Sequence, residues 1–386
     1  MGRRPKAEKE ESSGATINRV LSDFLNDKEN ADKHHNFEEE VDYKVSTGSL
    51  MLDIATGGGL GPGLHRFCGI NEGGKTSEAL EVCRNFLSSV PNSRAMLVKA
   101  EGRLSPEMKQ RCGVDFVNDP SEWKNGNCFV FESNIYETVF ELMKKLVVSN
   151  HEDVKYLFII DSVDGLITLK SQDTPFDKAD QVASGATIAS VFLKKVANQL
   201  ARRGHMAVFI SQVRAKIEIQ GKITQTTTSA TGGNALLHFA NWILEFERPW
   251  QKDLIKEKEK EPANKDTNKI LGHWVRVKVK KSPNEMTDYT LQYPVKRGRK
   301  NRSSIWLEKE VTDQMVSWGF VKKGGAWYTA SQDLINKMTE NGIDFPEKIH
   351  GENKLFEYLE NNPEVVNILL EMFKNLLSSI QNEIDE

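Results

Sequence analysis

Gly69-Ile70-Asn71-Glu72-Gly73-Gly74-Lys75-Thr76 follows a short apolar run, His65–Gly69, and precedes a stretch of helical periodicity, Thr76–Ser89. The segment fits GxxxxGK[ST], and a strand before it with a helix behind it is the context in which that spacing forms an anion cradle. Glycines at 69, 73 and 74 allow a tight turn whose successive N–H groups face inward, and the N-terminal end of the helix adds positive potential. Lys75 supplies a point charge for β- and γ-phosphates, and the Thr76 hydroxyl suits a Mg²⁺ ligand. Residues Gly69, Asn71, Glu72, Gly73, Gly74, Lys75, Thr76 and Ser77 are therefore the expected binding loop for a nucleoside triphosphate.

A second apolar run, Tyr156–Asp161, ends in a carboxylate. Ligands of open α/β sheets bind at the C-terminal edges of strands, so Asp161 is the expected partner of Thr76 in holding the metal; a strand-end cap is its alternative reading. Hydrolysis further requires a group that positions water for in-line attack. Glu101, beyond the run Arg94–Lys99, and Gln212, at the end of His205–Ser211, stand where such a group belongs, although spacing alone reads them equally as solvated loop residues.

Outward from the loop, apolar runs alternate with helical stretches from Val45 to Leu376, the pattern of an α/β domain with a mostly parallel sheet. Further strands are expected at Cys128–Glu132, Trp242–Glu247 and Trp274–Lys281, and helices at Ile135–Ser149, Gly185–Arg203, Lys354–Leu359 and Val365–Ile380. Residues 1–14 are charged and poor in apolar side chains, which reads as disorder, whereas Ile17, Val20, Leu21, Phe24 and Leu25 form the stripe of a short amphipathic helix. The Thr-rich stretch Lys216–Gly233 reads as a mobile loop, and Lys252–Lys269 as a solvated insertion.

Size and composition bound the rest. The 386 residues can bury a large core with smaller additions at each end, divided here as 1–44, 45–310 and 311–386. With 38% hydrophobic and 28% charged residues and no apolar run near the roughly 18 residues of a membrane span, a cytoplasmic protein is expected. The N-terminus lacks the apolar core of a secretory signal, and Cys68, Cys83, Cys112 and Cys128 show no metal or disulfide spacing. The net charge of −3 argues against global attraction to nucleic acid, but it averages a basic run, Lys296–Arg302, with acidic blocks such as Glu38–Glu40.

Several segments together resemble the RecA recombinases, phage members of the UvsX type included. Thr47–Ala55 is similar to that family's TGSLxLDxAL lead-in, Ala100-Glu101 with Leu104-Ser105-Pro106 to AEHALDP, and Phe209–Lys216 to FINQIRxKI. Thr231–Leu236 matches TGGNAL, and Lys323–Tyr328 resembles KxGAWY. The resemblance implies a RecA-like ATPase core, a polymerisation helix at Ile17–Leu25 and a small, mainly helical C-terminal domain. It implies ATP and Mg²⁺ as ligands, with Glu101 as catalytic glutamate and Gln212 coupling the γ-phosphate to the DNA loop beyond it. Arg214, Lys216, Gly232, Gly233 and Asn234 become contacts to single-stranded DNA, Arg276 and Lys278 a second DNA site, and Lys281 a lysine reaching the neighbouring subunit's nucleotide.

The implied activity is ATP-dependent pairing and strand exchange in recombination and repair, by a helical filament on single-stranded DNA that takes up homologous duplex. Single-strand-binding and mediator proteins would be further partners, and a membrane none. The alternatives are another ATPase of the same fold, such as a hexameric helicase or a ring-forming regulator, and a filament protein that does not hydrolyse ATP. Departures from the family pattern are local. Met108 stands where an aromatic residue often covers the base, and Ser105 replaces an aspartate. Pro283 replaces a second trans-acting lysine, leaving Lys280 or Lys281 alone, and His238 replaces a phenylalanine of the subunit interface. The basic run Lys296–Arg302 is expected to add phosphate contacts, and the divergent base contacts Met108 and Ser105 with the charged insertion suggest a phage member.

Overall fold

The computed structural model describes residues 8–27, 41–102, 104–150, 153–174, 184–213, 233–258, 260–300 and 303–385. The chain divides into two units, Met1–Val41 and Asp42–Glu386. In the first, helix α1 spans Glu8–Asn26. It begins earlier than composition suggested: Glu8, Lys9, Glu10 and Glu11 are good helix formers, so the turns carrying the apolar stripe extend backwards through residues read as disordered. The stripe faces solvent, with Ile17, Val20, Leu21 and Phe24 all exposed by more than half.

The second unit opens with α2 (Leu50–Ala55), β1 (Gly63–Gly69), α3 (Lys75–Ser89), β2 (Ser93–Lys99) and α4 (Pro106–Cys112). There follow β3 (Phe116–Val117), β4 (Cys128–Glu132), α5 (Tyr136–Val148), β5 (Lys155–Asp161), α6 (Leu169–Asp173), α7 (Ser184–Arg202) and β6 (Met206–Gln212). Next come α8 (Gly233–Phe239), β7 (Trp242–Phe246), β8 (Leu254–Lys256), β9 (Ile270–Lys281) and β10 (Thr290–Lys296). The C-terminal part holds α9 (Leu307–Ser317), β11 (Val321–Gly324), β12 (Trp327–Ala330), α10 (Gln332–Glu340), β13 (Lys348–His350), α11 (Glu352–Asn361) and α12 (Pro363–Asp385).

The large sheet runs β10-β9-β7-β1-β6-β5-β2-β4-β3, with β8 paired to β9. From β7 to β3 every pairing is parallel, whereas β9 joins β7, β8 and β10 antiparallel. Parallel strands are covered on both faces, which is why β5 and β6 read as nearly continuous apolar runs, while β1 buries His65 and Arg66 as well. One face packs on α3 through Ala79, Leu80, Val82, Cys83 and Phe86, and the other on α5 and α7 through Phe140, Met143, Phe192 and Leu193. Each fully buried Leu or Phe of these faces contributes roughly 2–3 kcal/mol of transfer free energy. The fold class is thus the expected α/β sheet. All four cysteines are free and buried, and among the described residues no helix is long and apolar enough to cross a membrane.

Most strand and helix bounds lie within a few residues of expectation; the larger changes are β9, which starts at Ile270 rather than Trp274, and α12, which runs to Asp385 rather than Ile380. The C-terminal part, expected to be mainly helical, also carries a three-stranded antiparallel sheet, β11-β12-β13, around a core that includes Val311, Met315, Tyr328, Leu355, Leu369 and Phe373. Leu50 of α2 enters that core. Beside it the Glu310 carboxylate accepts from Ser49 Oγ (2.7 Å), Leu50 N (3.0 Å) and Met51 N (3.3 Å), so α9 caps α2.

Two surface readings are corrected. The stretch Lys252–Lys269 is built into the sheet rather than merely solvated: β8 pairs β9, Ile255 is buried, and the Asn268 amide donates to the carbonyls of Lys258, Glu261 and Pro262. In the basic run, Lys296 pairs with Glu360, and Arg299 Nη2 donates to Glu308 (2.6 Å) and Glu360 (2.8 Å). These two cations join β10 and the residues after it to α9 and α11 instead of offering charge to a phosphate, because Glu308 and Glu360 on the facing helices already neutralise them. Arg297 and Lys300 remain exposed, and Arg302 lies outside the described residues.

Candidate nucleotide site

The strand order brings the C-terminal tips of β1, β6, β5 and β2 side by side, with Gly69 opposite Gln212 and Lys99 opposite Asp161. Loops leaving adjacent parallel strands share one rim, so residues far apart in sequence converge there. The rim encloses a cavity of about 550 Å³ lined by Asn71, Glu72, Gly73, Gly74, Lys75, Thr76 and Ser77 on the loop side. Glu101, Met108, Asp161, Ser162, Ile210, Gln212 and His273 complete the wall.

The loop could not be built otherwise at its first residue. Gly69 has φ 139°, and a Cβ there would lie 2.1 Å from the Phe246 carbonyl oxygen. The chain then turns so that Gly74 caps α3 and Lys75 begins it. Lys75 Nζ donates to the carbonyls of Gly69 (2.9 Å) and Ile70 (2.6 Å), holding the ammonium over the loop. Burial pulls its pKa below the ordinary lysine value, against the pull of nearby acids. Neutral carbonyls are weak holders of an ammonium compared with a polyphosphate, so the lysine is stored and available.

Thr76 Oγ1 donates to Asp161 Oδ2 at 3.2 Å. A hydroxyl and a carboxylate are the hard oxygen donors that Mg²⁺ accepts, and Mg²⁺ takes one or two such protein ligands plus phosphate and water rather than a protein cage. Among the described residues no cluster of three His, Cys, Asp or Glu side chains is placed to hold a metal. Glu101 Oε1 accepts from Ser162 Oγ at 2.7 Å. Gly165 packs tightly enough on Glu101 that a Cβ would come within 2.4 Å of its Cγ, so this carboxylate is held on two sides. The Gln212 N–H donates to Asp164 Oδ2 at 2.5 Å, anchoring the end of β6 while its side chain lines the cavity.

Of the remaining expected residues, Met108 reaches the cavity from α4, whose N-cap is Ser105; the Ser105 hydroxyl accepts from Met108 N at 3.1 Å. Lys281 does not reach this cavity; its Nζ donates to the carbonyls of Leu237 (2.8 Å) and His238 (2.7 Å) in α8. Gly233 and Asn234 lie in the first turn of α8, whereas Arg214, Lys216 and Gly232 fall outside the described residues. Arg276 and Lys278 share a face of β9, and each meets an acid: Asp253 at 2.7 Å and Glu247 at 3.7 Å for Arg276, Asp288 at 3.2 Å for Lys278.

Sequence reasoning missed Ser162, Asp164, Lys99 and His273. The first two sit just beyond the tip of β5, where any polar residue after a buried strand could have been considered. Lys99, the last residue of β2, lies 3.6 Å from Asp161 Oδ2. His273, kept below the usual histidine pKa by burial, reaches the cavity from the distant β9, and nothing local signals it.

A mainly parallel α/β sheet with a GxxxxGKT loop, a facing Thr–Asp pair and a braced glutamate defines a P-loop nucleotide-binding protein. Comparison with known proteins narrows this. The family model for the RecA N-terminal domain matches residues 29–291. Protein RecA of Frankia alni is 28% identical over 344 residues, covering 88% of this chain and 86% of that protein. Protein RecA of Acidothermus cellulolyticus is 30% identical over 307 residues, 78% of each, and that of Pseudomonas fluorescens strain Pf0-1 is 30% identical over 342 residues, 87% of this chain and 82% of that one. The chain belongs to the RecA family.

Proposed function

We propose that this protein is an ATP-dependent recombinase that polymerises on single-stranded DNA, pairs it with homologous duplex and hydrolyses ATP to turn the filament over. The observation that carries the reading is the convergence of Lys75, Thr76, Asp161, Glu101 and Gln212 on one cavity in a chain of this family. Lys75 leaves its two carbonyls for the β- and γ-phosphates. Thr76 and Asp161 would hold Mg²⁺, which neutralises phosphate charge when bound. Glu101, fixed by Ser162, orients the attacking water and accepts its proton. Gln212 binds the γ-phosphate and passes its presence to Arg214, Lys216, Gly232, Gly233 and Asn234, which contact the single strand. Met108 covers the base.

The exposed stripe Ile17, Val20, Leu21 and Phe24 supports self-assembly, since an apolar helix face of that kind is buried by packing on another protein surface. Arg276 and Lys278 form the second DNA site once phosphates displace their acids, and Lys281 exchanges α8 for a neighbour's nucleotide. The chain works in the cytoplasm, of a host cell if Met108, Ser105 and the charged segment Lys252–Lys269 mark a phage member.

Strand exchange between single-stranded circles and homologous linear duplex tests the reading. The wild type should convert substrate with ATP, and Glu101→Gln should retain filaments by electron microscopy while losing ATP turnover. Unwinding without pairing, or closed rings in place of filaments, would move the protein to the helicase or regulator class. A wild type without turnover would leave a filament protein that uses ATP only as a ligand.

A further inference from the structure

Lys99 has no part in the loop chemistry just described, yet its ammonium faces the acid of the metal pair. Lys99 ends β2, and the parallel register sets it opposite Asp161 at the end of β5. Its Nζ lies 3.6 Å from Asp161 Oδ2, the same oxygen that accepts from Thr76 Oγ1 at 3.2 Å. The pair is mostly withdrawn from solvent, with side-chain exposures of 9% and 14%, so water and salt screen it weakly. Other charges around the cavity are engaged elsewhere: Lys75 with the Gly69 and Ile70 carbonyls, Glu101 with Ser162, and Asp164 with the Gln212 N–H.

We propose that Lys99 is a resident counter-cation of the metal position, a positioning residue that lets the loop hold a nucleotide before the divalent ion arrives and lowers the affinity with which that ion binds. A divalent ion draws its affinity from the charge of its oxygen ligands. With an ammonium already beside Asp161, less of that carboxylate's charge is left for the ion, and two cations placed together repel. The same ammonium stands 3.6 Å from a carboxylate of the cavity wall, so it favours a polyanion there when metal is absent. Lys99 therefore reduces the dependence of nucleotide binding on metal from both directions.

The inference rests on the cavity being a Mg²⁺–ATP site, and the experiment separates the two. Binding of the fluorescent analogue mant-ATP is measured with saturating Mg²⁺ and in excess EDTA, and the ratio of the two affinities is the readout. In Lys99→Met the ratio should rise about tenfold, with weaker metal-free binding and a lower Mg²⁺ concentration at half-saturation; Lys99→Arg should keep the wild-type ratio. A loss of packing alone would weaken both affinities together and leave the ratio where it was. If Lys99→Met does not fold by circular dichroism, Lys99→Gln decides by the same ratio. An unchanged ratio in a folded neutral variant, with mant-ATP binding still lost in Lys75→Ala, overturns the role of Lys99 alone. Wild-type-like binding in Lys75→Ala overturns the reading of the cavity, and this inference with it.

Discussion

Lys75, at the start of α3, lines the cavity and is held by neutral carbonyls, whereas Lys99, at the end of β2, is held by a single acid of the cavity wall that it shares with Thr76. Along β9 the same kinds of side chain are closed off: Arg276 lies between Glu247 and Asp253, Lys278 meets Asp288, and Lys280 meets Glu245 at 3.2 Å. The first edge stores positive charge ready for a polyanion. On the second, a phosphate has to displace a carboxylate that is already there. A basic residue in a sequence thus carries no information about whether its charge is available; its neighbours across the sheet decide that.

The contrast is open to attack from both sides. The largest effect is expected at the loop: Lys75→Ala should weaken mant-ATP binding about a thousandfold, about 4 kcal/mol, while the melting temperature stays close to that of the wild type. A large loss of stability instead would make Lys75 a structural lysine like those of β9.

Glu310 supplies a third case, a buried carboxyl held by hydrogen-bond donors with no cation contacting it among the described residues. Burial raises its carboxyl from 4.5 to about 7, although Ser49, Met51 and Leu50 donate to it. The folded state therefore keeps a proton that the unfolded chain releases. Its stability contribution is full below pH 4.5, declines as pH rises towards 7 and stays lost above, on the order of 3 kcal/mol in all. Urea unfolding of the wild type and Glu310→Gln across that window should show a flatter pH dependence in the variant, even though the amide replaces an accepting atom and lowers its absolute stability. Parallel curves would mean that the carboxyl is ionised throughout.

Arg276→Ala should show the reverse profile to Lys75→Ala. Nucleotide affinity should be unchanged, but Asp253, 8% exposed, would be left without its guanidinium, at about 2 kcal/mol of stability by urea unfolding. The smallest effect belongs to Asp288→Asn. Asp288 is 71% exposed, so freeing Lys278 should tighten binding to DNA at low salt by no more than about threefold and steepen the salt dependence. A slope that does not change would remove Lys278 from the DNA surface.

Much of this was legible along the chain because it is local. The loop from Gly69 to Ser77, the carboxylate ending β5 and the parallel sheet follow from short-range patterns, since buried parallel strands such as β5 and β6 are mostly apolar and a phosphate cradle needs glycine and lysine at set intervals. Glu101 and Gln212 were legible as strand-end residues, and their place on one cavity wall followed only from the order β1-β6-β5-β2. The readings that changed concerned charge. Lys252–Lys269 looked solvated and proved part of the sheet, because one buried isoleucine and one buried asparagine among many charges are invisible to composition. Lys296 and Arg299 looked like phosphate ligands and proved to join β10 to the C-terminal helices.

From residue order alone, then, came the nucleotide loop, the α/β class and the resemblance to one family, because each depends on spacing within a few residues of itself. Tertiary structure decided which charges stand free. Coulomb energy depends on distance and local exposure, so Lys99 became the partner of Asp161, Arg276 part of a clasp and Glu310 a buried acid only when β5, the segment around Asp253 and α2 came to lie beside them.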